Sequence, residues 1–177
     1  DDVRSKWLGK DALSVKTGDA RDIDILYLPV PVNNIADKPA KSAEVLARWM
    51  EESNTPKALV FGNTRNRTQI LAAALNEHLT GSRWPVHWHT GILTKIERER
   101  VEDAMKNERF GICVATSTLE VGIDIGDIDV IVLAEPPFSI NSFLQKIGRG
   151  NRKTGVCKVI APYSTKQELS LFKALHH

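Results

Sequence analysis

Between Gln145 and Gly155 the chain reads QKIGRGNRKTG, with four cations set among three glycines. Arg149 and Arg152 stand three residues apart, beside Gly148 and Gly150. A surface helix has no use for the glycines, and a bare turn has no use for paired guanidinium groups. Guanidinium groups are planar, permanently charged and matched to phosphate oxygens. Two together can neutralise the charge that develops on a transferring γ-phosphoryl group. The plainer reading is a basic surface turn. The preceding SINSFLQK, Ser139 to Lys146, reads as a helix that delivers Gln145.

Three other loops carry groups suited to anions. In GNTRNRT, Asn63 and Thr64 are able to cap a following helix, whose free N–H groups and partial positive charge favour a phosphate. Arg65 and Arg67 add full charges there, and the alternative is a plain cap with solvated arginines. In HTG, Gly91 allows close backbone approach to a ligand, while His89 reads as a hydrogen-bonded structural residue. The following TKIE, Thr94 to Glu97, has the form of a capping box. In ATSTLEVGIDIGDID, Thr116, Ser117 and Thr118 place three hydroxyls at a strand end, followed by Gly122 and Asp124. Hydroxyls suit phosphate contacts, and Asp124 suits a ribose hydroxyl. An ST-turn and a turn aspartate are the plainer account.

These loops are punctuated by regular elements. Ile23–Val30, Ala58–Gly62, Val86–His89, Gly111–Thr116, Val130–Ala134 and Cys157–Pro162 read as strands. Between them lie amphipathic stretches. Ala43, Leu46, Ala47 and Met50 make one apolar face; Ile70, Leu71, Ala74, Leu75 and Leu79 make a second; Ile96, Val101 and Met105 make a third. Nearly apolar strands separated by helices predict an α/β fold with a mostly parallel sheet covered on both faces. In such sheets ligands gather at the carboxyl ends of the strands. The segment from Val32 to Lys41 reads as a polar, proline-containing loop, and residues 1–22 as a linker outside the sheet.

The 177 residues suffice for one domain, and a formal charge of +2 argues against a polybasic tail. Cys113 and Cys157 lie in apolar runs and read as buried free thiols, which with the absence of a long apolar run predicts a cytoplasmic chain. Trp84 and Trp88 read as packing residues rather than base-stacking platforms.

ALVFGNTRNRT, HTGILTKIERERVEDAMKN, VATSTLEVGIDIGDIDVIV and FLQKIGRGNR resemble, in order and spacing, motifs IV, IVa, V and VI of superfamily 2 helicases. Those motifs belong to the second RecA-like domain, a three-layer α/β/α sandwich, and the likeness covers roughly Ile23 to Tyr163. TSTLEVGIDIG most resembles the large helicase-related (Lhr) group of DNA-directed helicases, and GRGNR is also similar to CRISPR-associated helicase–nucleases. The resemblance implies that Arg149 and Arg152 reach the ATP γ-phosphate. It implies that Gly122, Asp124 and Gln145 serve the nucleotide site, and that Thr64, Arg65, Gly91 and Thr116 contact single-stranded nucleic acid, DNA before RNA. Lys146 stands where many relatives carry Arg.

No G-x-x-x-x-G-K-[ST] loop and no D-E-x-x element occurs in the sequence. Those elements belong to a first RecA-like domain, to which residues 1–22 form a tail or linker, with 23–177 the second. The expectation is therefore half of an ATP-driven motor, inactive alone, with ATP and Mg2+ held mainly by the other half. The competing expectation is a non-catalytic α/β module that binds nucleic acid or protein through the same basic loops.

Overall fold

The computed structural model describes residues 13–15, 22–116, 125–150 and 155–176. In chain order the elements are β1 (Leu13–Val15), β2 (Asp22–Pro29), α1 (Lys38–Ser53), β3 (Lys57–Phe61), α2 (Arg65–His78) and β4 (Val86–His89). Then follow α3 (Lys95–Asn107), β5 (Gly111–Ala115), β6 (Val130–Leu133), α4 (Ile140–Ile147), β7 (Val156–Tyr163) and α5 (Lys166–His176). Among the described residues the strands form one seven-stranded sheet in the order β1-β2-β7-β6-β3-β5-β4. Every neighbouring pair is parallel except β1 with β2.

That order explains the layering. From β2 to β3 to β4 the chain moves toward one edge, and from β4 through β5 and β6 to β7 it moves back. Crossovers of one hand must then lay their helices on opposite faces. Accordingly α1 and α2 cover one face through Ala43, Leu46, Met50, Leu71 and Leu75. Met105 of α3, Phe143 and Ile147 of α4 and Phe172 of α5 cover the other. Strands β3, β5 and β6 are buried along their whole length, which is why they read as unbroken apolar runs.

Several expectations are corrected. Residues Leu13–Val15, read as linker, pair antiparallel with Ile23–Ile25 and extend the sheet. The supposed loop from Val32 to Lys41 contains a single 3-10 turn, Ile35–Asp37, and the start of α1 at Lys38. Its proline sits in the first turn of α1, where a missing N–H costs nothing, so it marks a helix start. Ile70 is 40% exposed and Ile96 64% exposed, so neither belongs to the core. In α2 the buried stripe is Thr68, Leu71, Ala72 and Leu75, because the Thr68 hydroxyl satisfies itself on the Arg65 carbonyl at 2.8 Å and tolerates burial. Helix α5 was not anticipated.

Other expectations hold. Cys113 and Cys157 are buried free thiols, and burial pushes the Cys113 thiol up to about 12. Trp84 is buried with its indole N–H donating to the Thr55 carbonyl at 2.7 Å. Trp88 is half-buried and donates to the Thr68 hydroxyl at 3.4 Å. Both pack.

The capping box is present at α3. Thr94 Oγ1 accepts the Glu97 N–H at 3.3 Å, and Glu97 Oε2 accepts the Thr94 N–H at 2.8 Å. Thr94→Ala is expected to destabilise the chain by about 1 kcal/mol. A urea melt with an unchanged midpoint would contradict this.

Candidate nucleotide and nucleic-acid site

The carboxyl ends of the central strands are in register, with Phe61 level with Ala115 and Leu133, and His89 level with Ala115. The next residue of each strand therefore lines one edge of the sheet. Thr64, Arg65, Gly91 and Thr116, separated by up to 52 positions in sequence, are brought to that edge by the parallel register. Thr64, Arg65 and Gly91 are exposed, and Thr116 is 9% exposed.

Their local chemistry is partly committed to the fold. Thr64 caps α2, its hydroxyl accepting the Arg67 N–H at 3.5 Å. The anticipated anion at this helix end is supplied from within the chain. Glu135, just past β6, accepts the Asn63 N–H at 2.8 Å through Oε2, and its Oε1 pairs with the Arg67 guanidinium. Asn63 Nδ2 also donates to the Pro136 carbonyl at 2.8 Å. Arg67 is thus spent on Glu135, and Arg65 is the arginine this loop presents outward. At α3 the Glu97 carboxylate of the capping box likewise occupies the helix end, so a phosphate near Gly91 would meet backbone rather than that terminus.

His89 fulfils its structural reading. It is fully buried, with Nε2 3.4 Å from Glu102 Oε1. Burial holds its imidazole below the ordinary value, against the opposing pull of Glu102.

Arg149 lies elsewhere. Helix α4 leaves the carboxyl edge after Phe138 and runs back along the sheet for eight residues, about 12 Å at the α-helical rise. It ends where β6 and β7 begin. Gly150 is packed so tightly there that a Cβ would stand 2.9 Å from both Cys157 Sγ and Ile131 Cγ1. The Cys157 thiol donates to the Ile147 carbonyl at 3.2 Å, and the Arg149 N–H to the Lys146 carbonyl at 3.2 Å. Arg149 is half-buried on this pinned turn. The expectation that all ligand-binding loops share the carboxyl edge is therefore corrected: α4 carries Arg149 to the opposite one. Arg152, Gly122 and Asp124 lie outside the described residues.

Helix α4 has two distinct faces. Phe143, Lys146 and Ile147 are buried, with the Lys146 ammonium 5.8 Å from the centre of the Phe61 ring. Lys146 thus points into the chain instead of standing beside Arg149. Gln145 is exposed, as are Ile140 and Leu144 at 58% and 52%, and Phe138 just before the helix at 84%. An apolar ridge therefore borders Gln145 along the helix. Sequence reading passed over Phe138, Ile140 and Leu144, although Ile140 and Leu144 join Phe143 and Ile147 at i, i+3, i+4 and i+7 in one apolar stripe, of which only the Phe143 and Ile147 side is buried.

Among the described residues no three His, Cys, Asp or Glu side chains are grouped to hold a metal ion. Among the same residues no helix is long and apolar enough to cross a membrane.

The chain is 29% identical over 150 residues to the ATP-dependent helicase Lhr-Core of Methanocaldococcus jannaschii, covering 82% of this chain and 17% of that protein. It is 30% identical over 166 residues to the Lhr helicase/probable uracil glycosylase of Mycolicibacterium smegmatis, covering 73% of this chain and 11% of that protein. The chain thus spans less than a fifth of the length of these relatives. Among solved structures, Mycobacterium smegmatis helicase Lhr bound to ssDNA and AMP-PNP superposes with a TM-score of 0.71 at 26% identity, over 92% of this chain and 22% of that one. The C-terminal domain of the DEAD-box protein Dbp5 shares the fold, with a TM-score of 0.67 at 22% identity over 85% of this chain and 82% of that one. The model of the helicase conserved C-terminal domain matches residues 38–154, about two thirds of the chain, and the chain belongs to that family.

Proposed function

We propose that this chain is the second RecA-like half of an Lhr-type, ATP-driven nucleic-acid motor. Residues 23–177 form the body of that half, Leu13–Val15 add an edge strand to its sheet, and the remainder of residues 1–22 leads from the first half. The observation that carries the reading is helix α4. It presents Gln145 on an exposed face bordered by Ile140 and Leu144, and ends in the turn that pins Arg149. A surface of this apolar character is suited to being covered, and the other half of the motor covers it.

ATP sits in the cleft so formed. Arg149 and Arg152 approach its γ-phosphate, with Gly122, Asp124 and Gln145 around the nucleotide. Magnesium is held by the other half. Thr64, Arg65, Gly91 and Thr116 grip the backbone of single-stranded DNA at the opposite edge, and closure and release around ATP step that grip along the strand. The relative whose structure is bound to ssDNA and AMP-PNP supports DNA as the strand. Alone, this chain hydrolyses no ATP.

A salt titration of the full-length polypeptide on single-stranded DNA tests the grip. Each neutralised phosphate adds a slope of about −0.7 in log affinity against log salt. A steep linear fall is expected, together with ATP turnover that the strand stimulates. Flat affinity, or turnover indifferent to the strand, would refute the reading.

A further inference from the structure

The two edges are joined by α3, which begins beside Gly91 and Thr94 and ends where β5 begins. Its far end is held in an unusual way. Many helices stop on a left-handed glycine, but the cap residue of α3, Glu108, is extended with φ −77 and ψ 147. The last-turn carbonyls are met instead by a lysine. Lys57, the first residue of β3, is 8% exposed, and its ammonium donates to the Met105 carbonyl at 2.5 Å and the Lys106 carbonyl at 3.4 Å. A buried ammonium is a costly way to cap a helix that water or glycine would serve.

The same residue holds a second segment. The Lys57 N–H donates to Asp129 Oδ2 at 2.9 Å, and the Asp129 N–H donates to the Lys57 carbonyl at 3.1 Å. Asp129 closes the run 125–129 that leads into β6. Within that run Ile125 and Ile128 are buried against the core that contains Met105. Gly126, at φ +74, lies so close to α3 that a Cβ would stand 3.2 Å from Lys106 Cα. Two residues beyond Asp129, Ile131 touches Gly150 in the turn that carries Arg149.

The geometry points to Lys57 as a positioning residue that couples the strand-gripping edge to the nucleotide edge. Helix α3 is the rod between them. Lys57 is the joint that makes a shift at Gly91 and Thr94 arrive at the 125–129 run and the Arg149 turn. This inference rests on the motor reading above. Lys57 touches neither ligand, so its removal acts on the communication between them.

The test uses the full-length polypeptide, with ATP turnover measured with and without saturating single-stranded DNA, and strand affinity and melting temperature recorded beside it. Lys57→Met is expected to keep unstimulated turnover and strand affinity but to lose about tenfold or more of the stimulation, within the range of measured allosteric couplings. Lys57→Arg restores donors to the α3 carbonyls and is expected to recover most of it. Gly126→Ala, which presses a methyl group onto Lys106 at the same joint without removing a charge, is expected to show the same selective loss, and serves where Lys57→Met does not fold. Undiminished stimulation in the folded variants overturns the joint, as does a loss that only follows melting temperature and strand affinity. A wild-type protein that the strand does not stimulate overturns the motor reading itself, and this inference with it.

Discussion

Arg149→Ala in the full-length polypeptide is expected to lower the rate of ATP turnover by at least ~10³-fold while leaving strand affinity largely intact. A guanidinium that meets charge as it develops on the γ-phosphoryl group contributes to the transition state more than to bound ATP. Its loss therefore appears in kcat and in kcat/KM together, with little change in KM. Arg149→Lys retains the charge but not the planar fork, and is expected to fall between the two. The tight packing of Gly150 on Cys157 and Ile131 holds the turn in place, so the loss reflects the missing side chain and not a relocated backbone. Single-turnover phosphate release on wild type and both variants measures it, with DNA binding followed in parallel. Near-normal release by Arg149→Ala would remove the residue from the nucleotide site.

The largest expected effect on stability is at Lys38. This residue is 2% exposed, and its ammonium donates to Glu168 Oε1 at 2.7 Å, tying the first turn of α1 to α5. Glu168 Oε2 accepts the Ser164 N–H at 2.8 Å, so the carboxylate is held from two sides. Lys38→Met strands a largely buried carboxylate and is expected to destabilise the chain by about 3–5 kcal/mol. Replacing both partners by Met and Leu is expected to recover much of that, since it leaves no unpaired charge.

The pair also sets an acid dependence. Burial by itself raises the carboxyl of Glu168, but the hydrogen bond from Lys38, the Ser164 N–H and the Lys38 charge outweigh it and hold the group below its usual 4.5. A carboxyl depressed in the folded state contributes stability that is complete above about pH 4.5 and is lost as pH falls through the folded value. In Lys38→Met that contribution is expected to vanish. Denaturant melts of both proteins from neutral pH downward compare the two. Parallel losses of stability with acid would show that Lys38 does not hold the carboxylate.

The amino-acid sequence alone determined everything carried by local period and composition. Unbroken apolar runs such as Leu59–Phe61 and Ile112–Ala115 announce strands buried on both faces, and Thr94 with Glu97 announces the start of α3. The turn chemistry of Gly148 and Gly150 marks where α4 must stop. Family kinship was legible for the same reason, because its motifs are contiguous strings. Thr64, Arg65, Gly91 and Thr116 were nominated together by the motifs they resemble, and parallel strands, which deliver their following loops to one edge, account for motifs so far apart in the chain meeting on one surface.

What depends on partners distant in the chain was decided only by tertiary structure. Arg67 looked like an open anion site until β6 brought Glu135 to it across 68 positions. Lys38 looked like part of a polar loop until Glu168, 130 positions away, enclosed it. Ile70 and Ile96 fit a helical stripe but lie outside the core, because the rotation of a helix on its sheet is set by the sheet it covers. The separation of Arg149 from the carboxyl edge of the sheet was likewise hidden. Sequence spacing specifies the length of α4, but only its packing on β6 and β7 specifies that it runs back to the edge where those strands begin.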